Sequence, residues 1–275
     1  MTLRRLFLMP SWLVVTLLFL FPLCVVLAYS FLTRGTYGGI TGPWTAESYW
    51  RLLDGLYLGI VARSFALAAA VTAICVPLAF PLALFLSRSG KHKILFLNLV
   101  MLPFWTSLLV RTYAWMFLLR DTGLINTSLQ RMGLIAEPLP LLYNDGAVLL
   151  GLVYSYLPFM VLPIYATLER IEPVLLEAAA DLGEKPWGAT WRVLIPLARP
   201  GILAGAVLVF IPSLGSYLTP DLLGGGKSIL IGNVIQNQFT AARDWPFGAA
   251  LSIALMGIVL GLLLFWNAKN KGDLL

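Results

Sequence analysis

Charge is what this 275-residue chain has least of: only 12% of its residues are Asp, Glu, Lys or Arg. With 59% apolar residues and a mean hydropathy of +0.86, so little charge makes this an integral membrane protein. One histidine, His92, leaves no set from which a histidine-based metal centre or nucleophile–base pair could be built. It sits in a basic loop and reads as solvated. The two cysteines, Cys24 and Cys75, lie inside apolar runs, which suits buried thiols rather than a disulfide. The formal charge of +6 is not gathered on one amphipathic element, so membrane topology accounts for it better than a nucleic-acid partner does.

What the chain does have is long apolar stretches, at about 12–31, 64–86, 94–119, 147–168, 202–218 and 248–266. Each is close to the ~20 residues that a helix needs to cross a bilayer. Arg4 and Arg5 ahead of the first stretch, with Ala28 and Ser30 near its end, also fit a cleaved signal. The stretch is longer than a signal core and more spans follow, so it counts as the first span. Residues 1–275 therefore read as one all-α transmembrane domain of about six helices. The loop 87–93 carries Arg88, Lys91 and Lys93 with no acid, and Lys269 and Lys271 follow the last span. Basic residues gather on the cytoplasmic side. Both termini, the loop 87–93 and the segment 169–201 then face the cytoplasm, and the connections 33–57, 120–145 and 219–246 face outward. Trp44, Tyr49, Trp50 and Tyr57 in the first outer connection suit a membrane interface.

The segment 169–201 is a polar, mixed-charge island between two spans. Pro173 fits a first helical turn, three alanines follow at 178–180, and Gly183 fits the left-handed position that ends a helix. Pro186 restarts the chain, and 187–195 continues helically up to Pro196. A slack linker seldom carries two helices, a glycine hinge and two prolines. Ala178, Ala179 and Leu182, with Glu177, Asp181 and Arg192 around them, suit docking in a partner's groove.

The pattern Glu177-Ala178-Ala179, three residues, Gly183, nine residues, then Val193-Leu194-Ile195-Pro196 resembles the EAA loop of the permease subunits of bacterial ABC importers, the MetI-like fold. Val193 and Ile195 stand where isoleucine and leucine are usual. The resemblance implies that Glu177, Ala178, Ala179, Asp181, Gly183 and Pro196 form the coupling element that enters a cytoplasmic ATPase dimer. It implies a second, similar permease subunit to complete the path and a periplasmic substrate-binding protein to deliver the solute. ATP and Mg would be bound by the ATPase and no cofactor by this chain, which is then a transport subunit of the bacterial inner membrane and not an enzyme.

Further stretches resemble spermidine/putrescine permeases: LPFWTS at 102–107 with VRTY at 110–113, LPFMVLP at 157–163, GNVI at 232–235 and RDWPFGAA at 243–250. A polyamine is therefore the first expectation for the solute. An amino-acid-like compound, another organic cation or a metal ion are the alternatives within the same group. A polyamine path should offer aromatic faces and carboxylates. Trp105, Tyr113, Tyr154 and Tyr217 are candidates for the first, and Asp221 is the acid nearest the outer end of the fifth span. No apolar stretch holds an internal acid, and Arg63 and Arg111 would oppose a cation unless paired. A secondary transporter driven by protons or sodium would need titratable groups near mid-membrane, and this lack argues against one.

Two motifs lead nowhere. Gly224-Gly225-Gly226-Lys227-Ser228 looks like the tail of a phosphate-binding loop, but Asp221 holds the place where that loop needs its first glycine. Asn126-Thr127-Ser128 matches a glycosylation acceptor, a triplet common by chance.

Overall fold

The structure, a computed structural model, describes residues 10 and 12–269; Arg4, Arg5 and Lys271 lie outside them. In chain order it contains α1 (Trp12–Tyr29), β1 (Thr33–Arg34), β2 (Ile40–Thr41), α2 (Glu47–Leu52), α3 (Gly55–Arg88), α4 (Lys93–Met101) and α5 (Leu108–Leu119). There follow α6 (Leu124–Arg131), α7 (Asp145–Leu168), α8 (Val174–Asp181), α9 (Pro186–Gly215), α10 (Leu218–Gly224), α11 (Ile231–Phe239) and α12 (Trp245–Lys269). Among the described residues, α1, α3, α7, α9 and α12 are long and apolar enough to cross a membrane.

The stretch 94–119, expected as one span, is a bent pair, Gly90–Trp105 and Leu108–Arg131, turned by 86°. Pro103 supplies no N–H to the helix. The chain passes through a 3-10 turn at Leu102–Trp105, and Thr106 and Ser107 are extended. Thr106 closes the corner by donating its N–H and its hydroxyl to the carbonyl of Pro103, at 3.3 and 2.7 Å.

Two further boundaries differ from expectation. Helix α3 starts at Gly55 and runs for 34 residues, about 50 Å, well beyond a hydrocarbon core of about 30 Å. Helix α9 does not stop at Pro196. Residues Thr190–Leu194 form a π-turn in which the Ile195 N–H reaches back to the Thr190 carbonyl. Pro196 has no N–H to satisfy just where the register changes, so the helix passes through it to Gly215.

The chain folds as two compact units, one of the described residues up to Ile60 together with 234–269, the other of 61–233. In the first, β1 and β2 pair antiparallel, with Thr33 opposite Thr41, and α12 packs against α1 and α2. Its anchor is Asp244, nearly buried, which accepts from Arg51 at 2.9 Å and from the Phe247 N–H at 3.2 Å. The Arg51 guanidinium also lies 4.0 Å from the centre of the Phe247 ring. Cys24, expected to be buried, is exposed, and no residue of the α1 window is fully buried.

In the second unit α7 and α9 form the core. The glycines of the sequence Gly201-Ile202-Leu203-Ala204-Gly205 let the two backbones approach. A side chain at Gly201 would meet the Pro163 carbonyl at 2.6 Å, and one at Gly205 would meet the Met160 sulfur at 2.6 Å. Val71, Cys75 and Ala79 of α3, spaced four apart, are fully buried against this core. Asn126 is buried too, bonded to the carbonyls of Arg120 and Leu139 and to the Leu139 N–H, so its side chain staples the connection 120–145.

Candidate coupling element and solute path

Helix α8 ends as its sequence demands. Gly183 has φ +83°, its N–H bonds the Ala180 carbonyl at 2.8 Å, and the Glu184 N–H bonds the Ala179 carbonyl at 2.9 Å. These paired bonds close the helix, and only glycine adopts the required conformation without strain. No atom crowds the Gly183 α-carbon, so the constraint is purely one of backbone. Glu177, Ala178, Asp181 and Leu182 are exposed, whereas Ala179, expected on the docking face, is turned inward and buried. The reason is that α8 lies against its own chain. Glu177 borders a cavity of about 400 Å³ lined also by Arg88, Glu169, Leu176 and Leu194, so α8 sits over the cytoplasm-facing ends expected for α3, α7 and α9.

Ion pairs fix the surroundings. Lys93 donates to Glu169 at 2.6 Å, and this bond, with one from Tyr165, holds the Glu169 carboxyl below its ordinary range. Arg192, expected beside Glu177 and Asp181, instead pairs with Glu184 at 2.9 Å. The Glu184 carboxylate occupies the space beside Gly188. Trp187 and Trp191 stack edge to face on the exposed side of α9.

At the other end of α9 the helix breaks. Ser216 is extended and Tyr217 precedes α10. Pro220 falls in the first turn of α10, where its missing N–H costs nothing. Asp221 lies in the same turn, its N–H bonded to the Tyr217 carbonyl at 3.0 Å. It is exposed, as is Tyr217. Trp105 is 76% exposed, Tyr113 is also exposed, and Tyr154 packs edge to face on Trp115 at 5.5 Å. Helix α10 packs on α5 and α7, so Tyr113, Tyr154, Tyr217 and Asp221 stand on adjoining elements. Among the described residues no hydrogen bond or ring contact joins their side chains.

The two troubling arginines differ. Arg63 is paired with Asp145, which also accepts from the Ser228 hydroxyl. Among the described residues Arg111 has no carboxylate partner. Its guanidinium lies 5.3 Å from the centre of the Phe104 ring, and its Nε is buried without a hydrogen bond. Phe104 in turn meets Phe159 edge to face at 4.9 Å. Asn233 was not singled out for the path. It donates to the Tyr217 carbonyl at 2.8 Å and to Asp221 Oδ1 at 2.6 Å. The stretch GNVI at 232–235 was the available signal, but nothing local tied it to Asp221.

The family model of the binding-protein-dependent transport system inner membrane component matches residues 5–270. The chain is 43% identical over 262 residues to the spermidine/putrescine transport system permease protein PotB of Haemophilus influenzae, covering 95% of this chain and 91% of that protein. It is 44% identical over 265 residues to PotB of Escherichia coli, covering 94% of each. Among solved structures, a bacterial alginate ABC transporter in complex with an alginate-pentasaccharide-bound periplasmic protein matches with a TM-score of 0.74 at 19% identity, over 98% of this chain and 96% of that one. That likeness carries the fold.

Proposed function

Because the chain belongs to the family of binding-protein-dependent transport system inner membrane components, we propose that it is the permease subunit of an ATP-driven importer of a polyamine such as spermidine or putrescine. One observation carries the choice of solute: identity of 43–44% to spermidine/putrescine permeases, spread over 94–95% of the chain rather than confined to the EAA loop.

In this reading ATP is hydrolysed on a separate cytoplasmic ATPase dimer. Glu177, Ala178, Asp181 and Leu182 form the face of α8 that enters it, Ala179 and Gly183 hold the shape of that face, and Pro196 lies beyond it in α9. A second, similar permease subunit completes the path, and a periplasmic binding protein delivers the solute to the outer connections. Both termini lie in the cytoplasm. The path runs past Trp105, Tyr113, Tyr154 and Tyr217, whose rings favour a cation passing over them by about 0.5–2 kcal/mol each. Asp221 meets the ammonium groups with its exposed carboxylate. Arg63 does not oppose the cation, because Asp145 pairs with it.

The test is transport by the assembled complex. Tagged through this chain, purified with its partners and reconstituted in proteoliposomes, it should accumulate radiolabelled spermidine when ATP is enclosed and the binding protein is outside. Unlabelled putrescine should compete, and molybdate or an amino acid should not. Uptake of either competitor in place of spermidine would overturn the solute, and purification without an ATPase would overturn the mechanism.

A further inference from the structure

Asn233 is 9% exposed, and its amide is fully engaged at the break after α9. One Nδ2 serves both the Tyr217 carbonyl, at 2.8 Å, and Asp221 Oδ1, at 2.6 Å. Its Oδ1 accepts the Leu230 N–H at 3.2 Å. The backbone that carries it is pinned from both sides. The Ile231 N–H bonds the Ser64 hydroxyl at 2.8 Å. Gly232 is pressed against the broken helix end, where a side chain would meet the Ser216 and Gly215 carbonyls at 2.6 and 2.7 Å. Asn233 is therefore delivered to this place by residues on two other elements, α3 and the end of α9.

Two of the three bonds serve backbone groups: the Leu230 N–H, which must be satisfied, and the Tyr217 carbonyl, which also accepts the Asp221 N–H at 3.0 Å. The third bond goes to an ionised, exposed side chain that water would satisfy without help. What that bond does is take rotamer freedom from Asp221. A carboxylate with one oxygen anchored to a buried amide presents its other oxygen in a fixed direction, and among the described residues Oδ2 has no hydrogen-bond partner. Pre-organising a charge before its ligand arrives removes an ordering cost from the encounter.

We propose that Asn233 is the positioning residue for Asp221, holding Oδ2 free to receive an ammonium group of the solute. This rests on the reading of Asp221 given under the proposed function. Aspartate at 233 would set two like charges against each other, and serine would be too short to reach both acceptors.

The experiment is a double-variant cycle on the complete transporter in proteoliposomes, with spermidine uptake and binding-protein-stimulated ATP hydrolysis measured on the same preparations. Asn233→Ala should lower spermidine uptake about tenfold, the scale of a lost hydrogen bond to a charged group, and leave stimulated ATP hydrolysis within about twofold. Asn233→Ser, which keeps a small polar group for the Leu230 N–H, should show the same loss and covers the case in which the alanine variant does not assemble. In an Asp221→Asn background, Asn233→Ala should add no further loss of uptake. An equal loss in both backgrounds, or a parallel fall in uptake and ATP hydrolysis, would reduce Asn233 to a structural repair of the helix break and overturn the proposal. An Asp221→Asn transporter with normal uptake would instead overturn the role of Asp221, and this proposal with it.

Discussion

Arg63 and Asp145 meet as one nitrogen against two oxygens, with Arg63 Nη2 2.7 Å from Oδ1 and 2.8 Å from Oδ2. The contact joins α3 to the first residue of α7. Both side chains are about half exposed, at 44% and 53%, so the pair itself contributes little, about 0.2–1 kcal/mol. Asp145 has other work: it accepts from Ser228, and it stands at the positive end of α7. Asp145→Ala should therefore lower the thermal midpoint of the detergent-solubilised complex more than Arg63→Gln does. Equal or reversed effects would show that the ion pair dominates.

Gly183→Val places a branched side chain where φ is +83°. The strain is about 1–2 kcal/mol or more and is relieved only by unwinding the end of α8. The spans are untouched, so membrane insertion should be normal while solute-stimulated ATP hydrolysis falls. Glu177→Arg should do the same through charge, since Glu177 is exposed and borders the cavity under α8. Normal stimulation and uptake in both variants would remove the coupling role.

Topology can be read with an impermeant thiol reagent in a background lacking Cys24 and Cys75. Lys227→Cys should react from outside and Lys91→Cys should not; both sites are exposed. The neighbouring Gly225 is a poor reporter, because a side chain there would strike the Tyr143 ring at 2.3 Å. The opposite labelling pattern would place α8 outside the cell and end the coupling reading.

Gly205→Leu should separate α7 from α9, because the space is filled by Met160. Overpacking of this kind costs about 1–3 kcal/mol. The expected result is a lower thermal midpoint and poorer recovery of the complex. Gly257→Leu, in the open face of α12, serves as the control, since nothing lies within 4 Å of it. Equal losses at both positions would contradict the close packing.

The parts of the fold that were legible are those written in consecutive residues. Pro173, the alanine run and Gly183 specify a helix and its end from within ten residues, and α8 ends with its two closing bonds where that reading put them. The Pro196 boundary failed because a proline is neutral when a π-turn shifts the register in front of it. The bend in the stretch 94–119 was not legible because apolar content measures affinity for lipid and says nothing of direction; the corner at Thr106 and Ser107 is invisible to hydropathy. Ala179 lies inward rather than on the docking face because a helix of 8 residues, about two turns, has no outward side until something covers the other one.

By itself the sequence determined that this is a membrane chain, about how many times it crosses, and where its built polar island lies. Transfer into lipid and the closing of a short helix are sums over local groups, so composition and spacing suffice for them. Tertiary structure alone decided which polar groups meet. Asn233 reaches Asp221 across 12 residues of chain and Arg63 reaches Asp145 across 82. A hydrogen bond depends on distances of a few tenths of an ångström, and those are set only when α9 breaks at Ser216 and Gly232 closes against it.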